Sequence, residues 1–444
     1  MDSFSSSDSA VFARHVLAIN DRGTHIIPAK GIYPHQWFWD SCFIAIGLRH
    51  YDIERSKKIL LSLKSGQWKN GMIPNIIFHG LDERSRHIRI WDSSRNPYAP
   101  KHLRTSGITQ PPMLAEAVFK VGEKLNPKQK KDFFEKMLPS IVKYHEWIYR
   151  ERDPHGEGLA LLLHPWESGT DNAPHWMQEL YYNQAPLWIR LIDIIGLEKL
   201  IDIARPDSRL GLAISERARS VDELLFFSVQ RRLKRKRYDI HSILRHAQLA
   251  IEDLIFNSIL VRANAKLEQI SDYCNKPLPR ELLTSIHKTP HALELLWDGK
   301  DRQYYSRNFT THELIREPTI GTLLPLYSGT VKRYRAIELV RIMKDKRHFW
   351  TDYPLPTVPK SSKNYQPKRY WQGPTWLNMN WLVIEGLKNY GFKSEADTLI
   401  EKTRLMVEQA GMREYFNSQT GQGLGGSDFS WTAALYIDLL NSKN

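Results

Sequence analysis

Apolar residues recur at three- and four-residue intervals through much of this chain, as at Leu187, Leu191, Ile194 and Ile195, which is the spacing of a helix with one apolar face. The pattern predicts helices over roughly 9–20, 40–49, 53–65, 111–122, 128–150, 175–192, 211–233, 239–270, 279–297, 331–343, 376–389, 393–410 and 429–441. No sustained series of alternating strands and hairpin turns interrupts them, so doubly wound α/β folds and β-barrels fit poorly. Between the helices lie segments too rich in Trp and Tyr to be linkers, notably 21–39, 66–110, 163–176, 299–330, 350–375 and 411–428. No compositional break divides the chain, and no template of roughly 30–45 residues repeats as a solenoid would require. The reading is one all-α domain over 1–444, flexible over about 1–8, with paired helices closing into a toroid.

Composition narrows this further. At 444 residues and 41% hydrophobic content the chain can bury a large core. The first twenty residues lack a basic region followed by an apolar one, and no apolar run approaches the ~20 residues that cross a bilayer. Cys42 and Cys274 are the only cysteines and have no metal-ligand spacing. Together these features predict a cytoplasmic protein without a membrane partner. The formal charge of +14 is densest at 231–237, where a solvated helix face or a local anion site accounts for it. With no recognition motif or stacking aromatics nearby, nucleic acid is not an expected partner. A positive field would also draw a small acidic substrate, and a homo-oligomer is compatible with the sequence.

The chemistry concentrates in the loops. HPWESGTDNAPHW, 164–176, sets Glu167 and Asp171 beside Trp166, Asn172, His175 and Trp176. A carboxyl packed against indole rings keeps its proton near neutral pH, as a general acid must. The residues alone do not choose between Glu167 and Asp171, and a helix cap by Asp171 or Ser168 is the structural alternative. Near the C-terminus, Glu414 precedes Tyr415 and Phe416, and the Gly-rich 421–426 stretch permits a tight return; Ser427 or Asp428 suits a cap. A carboxylate at 414 could activate water across a sugar from Asp171, at a separation of roughly 6.5–9.5 Å if the reaction inverts. Tyr33, Trp37, Trp39 and Asp40 in GIYPHQWFWDS offer apolar faces and an acceptor for a pyranose. Gln110 in TSGITQPP adds a polar group, and Tyr370, Trp371 and Gln372 in YWQGPTWLNMNW form a late aromatic cluster, with Trp381 assigned to the core. His312-Glu313 lacks the H-E-x-x-H completion, and no P-loop or G-x-G-x-x-G appears, so no metal or cofactor is expected.

In order, YPHQWFWDS, GQWKNGMIPNIIF, HPWESGTDNAPHW, PTIGTLLPLYSG, RYWQGPTWLNMNW and EYFNSQTGQGLGGSDFSWTAAL make the chain resemble the mannosylglycerate and glucosylglycerate hydrolases, related to glycoside hydrolase family 63, from about residue 9 to about 440. The resemblance implies an (α/α)6 barrel and hydrolysis, with inversion, of a small α-glycoside of glucose or mannose carrying glycerate. By motif it makes Asp171 the acid and Glu414 the base, gives Tyr33, Trp39, Asp40, Gln110, Tyr370, Trp371 and Gln372 to sugar binding, and leaves Trp166 and Glu167 as supporting ligands. The chain departs from the family over 79–104, which is basic. The family's carboxylate-binding arginine has no secure counterpart: Arg219 in ERARSVDE is the candidate, with Arg217 two positions earlier, and a solvated helix face accounts for both. An α-glucosidase acting on neutral disaccharides or short oligosaccharides and a noncatalytic carbohydrate-binding scaffold are the competing functions.

Overall fold

The computed structural model describes residues 6–80, 86–203, 212–245 and 249–442. Its main helices, in chain order, are α1 (Ser6–Ile19), α2 (Phe38–Leu48), α3 (Ile53–Leu63), α4 (Leu114–Gly122), α5 (Pro127–Arg152), α6 (Pro174–Gln184), α7 (Leu187–Ile195) and α8 (Ser220–Arg235). They continue as α9 (Leu254–Cys274), α10 (Arg280–Leu293), α11 (Pro325–Ser328), α12 (Arg333–Lys344), α13 (Leu377–Asn389), α14 (Lys393–Ala410) and α15 (Ser430–Leu440). Of the N-terminal segment expected to be flexible, Ser6–Asp8 form the first turn of α1, and residues 1–5 lie outside the described chain.

Six of these helices close a ring, each packing on the next: α2, α4, α9, α11, α13, α15 and back to α2. These helices are buried over most of their surface because both sides are covered. All eleven residues of α2 are buried, as are ten of the eleven in α15. The ring closes tightly at Gly47, where a Cβ would meet the backbone oxygen of Ala434 at 2.2 Å, so Gly47→Ala must push α2 off α15. The outer helices bury one stripe only. In α3 it is Ser56, Ile59, Leu60 and Leu63, with the Asp52 side chain accepting from Arg55 N at the start. In α14 it is Ala396, Leu399, Ile400, Thr403, Met406 and Val407. Each buried Leu or Ile on such a stripe stabilises the fold by about 1.5–3 kcal/mol. This alternation of inner and outer helices is an (α/α)6 barrel.

Two expected helices and one expected loop differ. The 175–192 helix is broken at Ala185-Pro186, where Pro186 becomes the N-cap of α7. The 239–270 helix is interrupted by a short strand, Ile251–Glu252, before Asp253 caps α9. The 299–330 loop contains α11, a single turn that starts on Pro325 and stops at Gly329, yet completes the inner ring. The strands are two or three residues long and tie loops together, as Gln36–Trp37, Ile76–Phe78 and Arg104–Thr105 do in one antiparallel sheet. No described helix is long and apolar enough to cross a membrane. Both cysteines are buried and free.

At the seam, Asp438 on α15 is a buried carboxylate. It takes a hydrogen bond from Trp381 Nε1 at 2.8 Å, meets His50 Nε2 at 2.7 Å and pairs with Arg49 at 2.9 Å. Burial alone would raise its pKa, but His50, Arg49, Lys120 and Trp381 bring it down to about 2.

Candidate active site

A cavity of about 350 Å³ opens where the inner helices begin. The N-cap residues of α2, α13 and α15, which are Trp37, Trp376 and Phe429, all line it. The positive ends of those helix dipoles therefore face the cavity. Among the described residues its wall carries four carboxyl groups, Asp40, Asp171, Glu223 and Glu414, and one guanidinium, Arg217. Tyr33, Trp39, Gln110, Trp166, Tyr370 and Trp371 are among the other residues that line it. The aromatics are locked to one another: Trp371 stacks on Trp376 at 3.7 Å between ring centroids, and Trp376 on Tyr415 at 4.5 Å.

Asp171 caps nothing, because α6 starts from Ala173 and Pro174. Its side chain turns to the cavity and accepts from Tyr370 Oη at 3.2 Å. Burial pushes its pKa up to about 7; the charge of Glu223 adds to this, while Tyr370 and Arg217 pull the other way. The neighbouring Asn172 anchors the late aromatic loop by accepting from Trp371 N at 3.0 Å through its side chain and from Gln372 Nε2 at 3.1 Å through its carbonyl. Asp40, in the first turn of α2, has its pKa raised by burial and by the nearby Glu414 and Asp171. Gln110 accepts from Trp39 N at 3.3 Å and so holds the start of α2 beside the cavity.

Glu414 faces the same cavity in a different electrostatic setting. It accepts from Tyr33 Oη at 2.8 Å, from Gly426 N at 2.9 Å and from Arg217 at 3.2 Å to each oxygen. Gly425, at φ +63°, brings the loop so close that a Cβ would sit 2.5 Å from Glu414 Oε2, which explains the glycines there. Arg217 also donates to Tyr33 Oη at 2.7 Å and lies 4.5 Å over the Tyr370 ring. A chain of contacts, Asp171 to Tyr370 to Arg217 to Glu414, thus links the two carboxyl groups around the wall.

The chain as a whole has known relatives. The mannosylglycerate hydrolase MGH1-like glycoside hydrolase domain matches residues 33–432. The chain belongs to this family. It is 36% identical to the mannosylglycerate hydrolase of Thermus thermophilus over 96% of this chain and 99% of the relative. It is 29% identical to the glucosylglycerate hydrolase of Mycolicibacterium hassiacum over 99% of both. Its structure superposes, with a TM-score of 0.85 and 34% identity over 97% of this chain and 99% of the other, on the crystal structure of a GH63 mannosylglycerate hydrolase from Thermus thermophilus in complex with Tris and D-glycerate. The protein is accordingly a glycoside hydrolase.

The structure of this hydrolase gathers Tyr33, Trp39, Asp40, Gln110, Trp166, Asp171, Tyr370, Trp371 and Glu414 on one cavity, and leaves Glu167, Gln372 and Arg219 off its wall. Glu167 is buried behind Asp171, pairing with Arg152 at 2.8 Å and accepting from the backbone at Leu163 and Thr109. In that position it holds the loop from behind the cavity wall. Arg219 begins α8 and spends its side chain on Asp222 and Asp193, both at 3.3 Å. The solvated face expected for Arg217 is contradicted, since that residue is inside the cavity wall and paired with Glu414. Glu223, in the first turn of α8, was not singled out by the sequence: it sits among hydrophobic residues of an amphipathic helix and carries no motif.

Proposed function

We propose that the protein hydrolyses a small α-glycoside of glucose or mannose with inversion, the whole helical chain acting as one catalytic domain. The observation that carries this reading is the pair Asp171 and Glu414 on one cavity, the first with its pKa pushed up to about 7 and the second gripped by Arg217 and Tyr33. Asp171 gives its proton to the glycosidic oxygen as the C1–O bond breaks, so the aglycone leaves as a neutral alcohol group. Glu414 takes a proton from a water that attacks C1 on the opposite face, and the α-glycoside yields a β-sugar. Asp40, Trp39, Gln110 and the Tyr370-Trp371 wall hold the ring while positive charge develops on it. The substrate class rests on kinship with mannosylglycerate and glucosylglycerate hydrolases and favours an anionic aglycone such as glycerate. The two free, buried cysteines fit a reducing compartment such as the cytoplasm.

The test is turnover of glucosylglycerate, mannosylglycerate and neutral α-disaccharides, with NMR on the anomer first released. Preferential cleavage of a glycerate glycoside with initial β-sugar is expected. Cleavage of neutral α-glucosides alone would move the substrate class, and initial α-sugar would overturn inversion.

A further inference from the structure

The basic run at 231–237 begins beside the active site, because α8 carries both. Glu223 and Phe227, one turn apart on α8, line the catalytic cavity. Phe227 also lines a second, more open pocket of about 460 Å³. Its other walls are Gln230, Arg231 and Lys234, further along α8, and Arg89 and Ile90 from a short helix, Arg86–Trp91. Ile90, like Phe227, belongs to both walls, so cavity and groove adjoin there. The two sides of the groove are bonded together. Lys234 Nζ donates to the Arg89 carbonyl and Gln230 Nε2 to the Ile90 carbonyl, both at 2.6 Å, and the Tyr238 hydroxyl donates to the Trp91 carbonyl. These bonds take up C-terminal carbonyls that the short helix cannot satisfy itself, and pin it to α8.

The sign of the charge reverses along α8. Among the described residues the cavity wall carries four carboxyl groups and one guanidinium, whereas the groove carries Arg89, Arg231 and Lys234 and no carboxyl group. Asp92, 4.0 Å from Lys234, already pairs with Arg95 at 2.5 Å. Arg89 and Arg231 are exposed and have no acidic partner among the described residues. Side chains of a helix lean toward its N-terminus, which for Arg231 and Lys234 is the cavity end of α8. With Asp171 as the acid, the aglycone leaves from its side of the cavity, and of the charges around Asp171 that of Glu223 bears on it most. Arg231 begins ~12 Å along α8 from Glu223, at 1.5 Å per residue. Even with the arginine reaching back half of that, a three-carbon acid such as glycerate, about 4 Å long at ~1.5 Å per bond, stops short of the groove. An anion on a longer tail passes Glu223 and meets the three cations. We propose that the groove is an anion subsite for the far end of the aglycone, and that the enzyme takes α-glycosides whose leaving group ends in a phosphate roughly four to six bonds beyond the glycosidic oxygen. Two guanidinium groups and an ammonium suit a dianion with three free oxygens, and arginine meets phosphate through paired hydrogen bonds. The inference rests on Asp171 as the acid, which fixes the side from which the aglycone leaves.

Calorimetric titration of the full-length Asp171→Asn enzyme, in which turnover is slowed, tests this with 2-phosphoethyl, 5-phosphopentyl and uncharged pentyl α-glycosides of glucose and of mannose. The five-carbon phosphate should bind about 10–100-fold more tightly than its uncharged counterpart, and the two-carbon phosphate should gain less than about threefold. Adding Arg89→Gln and Arg231→Gln together should erase the gain. Affinity for the uncharged pentyl glycoside and the melting temperature should then stay as they were, since both side chains are exposed. Arg235→Gln removes an exposed charge from the same helix outside the groove and should leave the gain intact. A phosphate that brings no gain overturns the proposal. A gain equal for both tail lengths, or one that survives the double substitution, is general attraction to the +14 charge and overturns it as well. Turnover of glycerate glycosides by the wild type is read separately: its absence would sink that substrate class, while a tail-dependent gain lost with Arg89 and Arg231 would still place an anion in the groove.

Discussion

Asp438 and Asp171 are both aspartates set deep in one barrel, and they titrate in opposite directions. Asp438 sits at the seam where α15 meets α2 and α13, and the donors around it bring its pKa down to about 2. Asp171 has one hydroxyl donor, Tyr370, and looks toward Glu223 and Glu414; its pKa rises to about 7. Burial pushes both upward, so the partners decide the sign. At the seam a charge is matched by cations and serves the fold. In the cavity carboxyl groups outnumber the lining cation, and the excess keeps a proton available for transfer.

Amide substitutions should break the two sites in complementary ways. Asp171→Asn and Glu414→Gln are expected to lower kcat/KM on the best glycoside by about 10²–10⁴-fold each; the melting temperature should be held or raised in Asp171→Asn and lowered in Glu414→Gln, which leaves the buried Arg217 against a neutral group. Steady-state kinetics beside calorimetry checks both, and a loss under about tenfold would remove either residue from the chemistry. Asp438→Asn should leave kcat of the folded enzyme near wild type and cost about 3–5 kcal/mol of stability, because Arg49 is left buried against a neutral group. The sign with pH follows from the depressed pKa: the contribution of Asp438 is present above its unfolded value of 3.8 and disappears as pH falls through about 2. Denaturant melts of Asp438→Asn should therefore show a flatter acid limb than the wild type.

The two regions also differ in how far the sequence exposes them. The cavity is legible because its loops concentrate Trp, Tyr, Gly and carboxylates, and most of the singled-out residues meet there. Asp438 is hidden in WTAALYIDLL, where an acid amid apolar residues reads as a helix position until its partners on α2 and α13 are seen. Arg217 fails for the same reason, since its ion pair spans 197 residues. The place of Glu167 off the wall is not legible either, because it shares a loop and aromatic neighbours with Asp171, while its partner Arg152 lies at the end of α5. For the fold, periodicity finds the long helices but not α11, which is one turn long, and it runs through Pro186, where the missing N–H and the restricted preceding residue end α6. Periodicity also assigns α7 an apolar face without saying which way the face turns.

The raised pKa of Asp171 gives the next effect. A general acid works only while protonated, so kcat/KM should fall as pH rises through about 7. In the Asp171→Asn variant that limb should vanish from the residual rate. A limb displaced by more than about two units from neutrality would mean that another group supplies the proton.

The smallest effects test the partner argument most closely. The charged and titratable groups facing Asp171 are Glu223 and Arg217 from the α8 segment, Tyr370 from the late loop, Glu414 from the C-terminal loop and Asp40 from α2. Glu223 favours the protonated acid and the Tyr370 hydroxyl favours the ionised one. Glu223→Gln should therefore move the alkaline limb of kcat/KM to lower pH, and Tyr370→Phe should move it to higher pH, each by less than about one unit. Opposite displacements from two neighbours cannot come from a general loosening of the site, which would shift both variants alike. Parallel displacements would show that burial alone governs Asp171, and the contrast with Asp438 would then rest on depth in the barrel instead of on the company each carboxyl keeps.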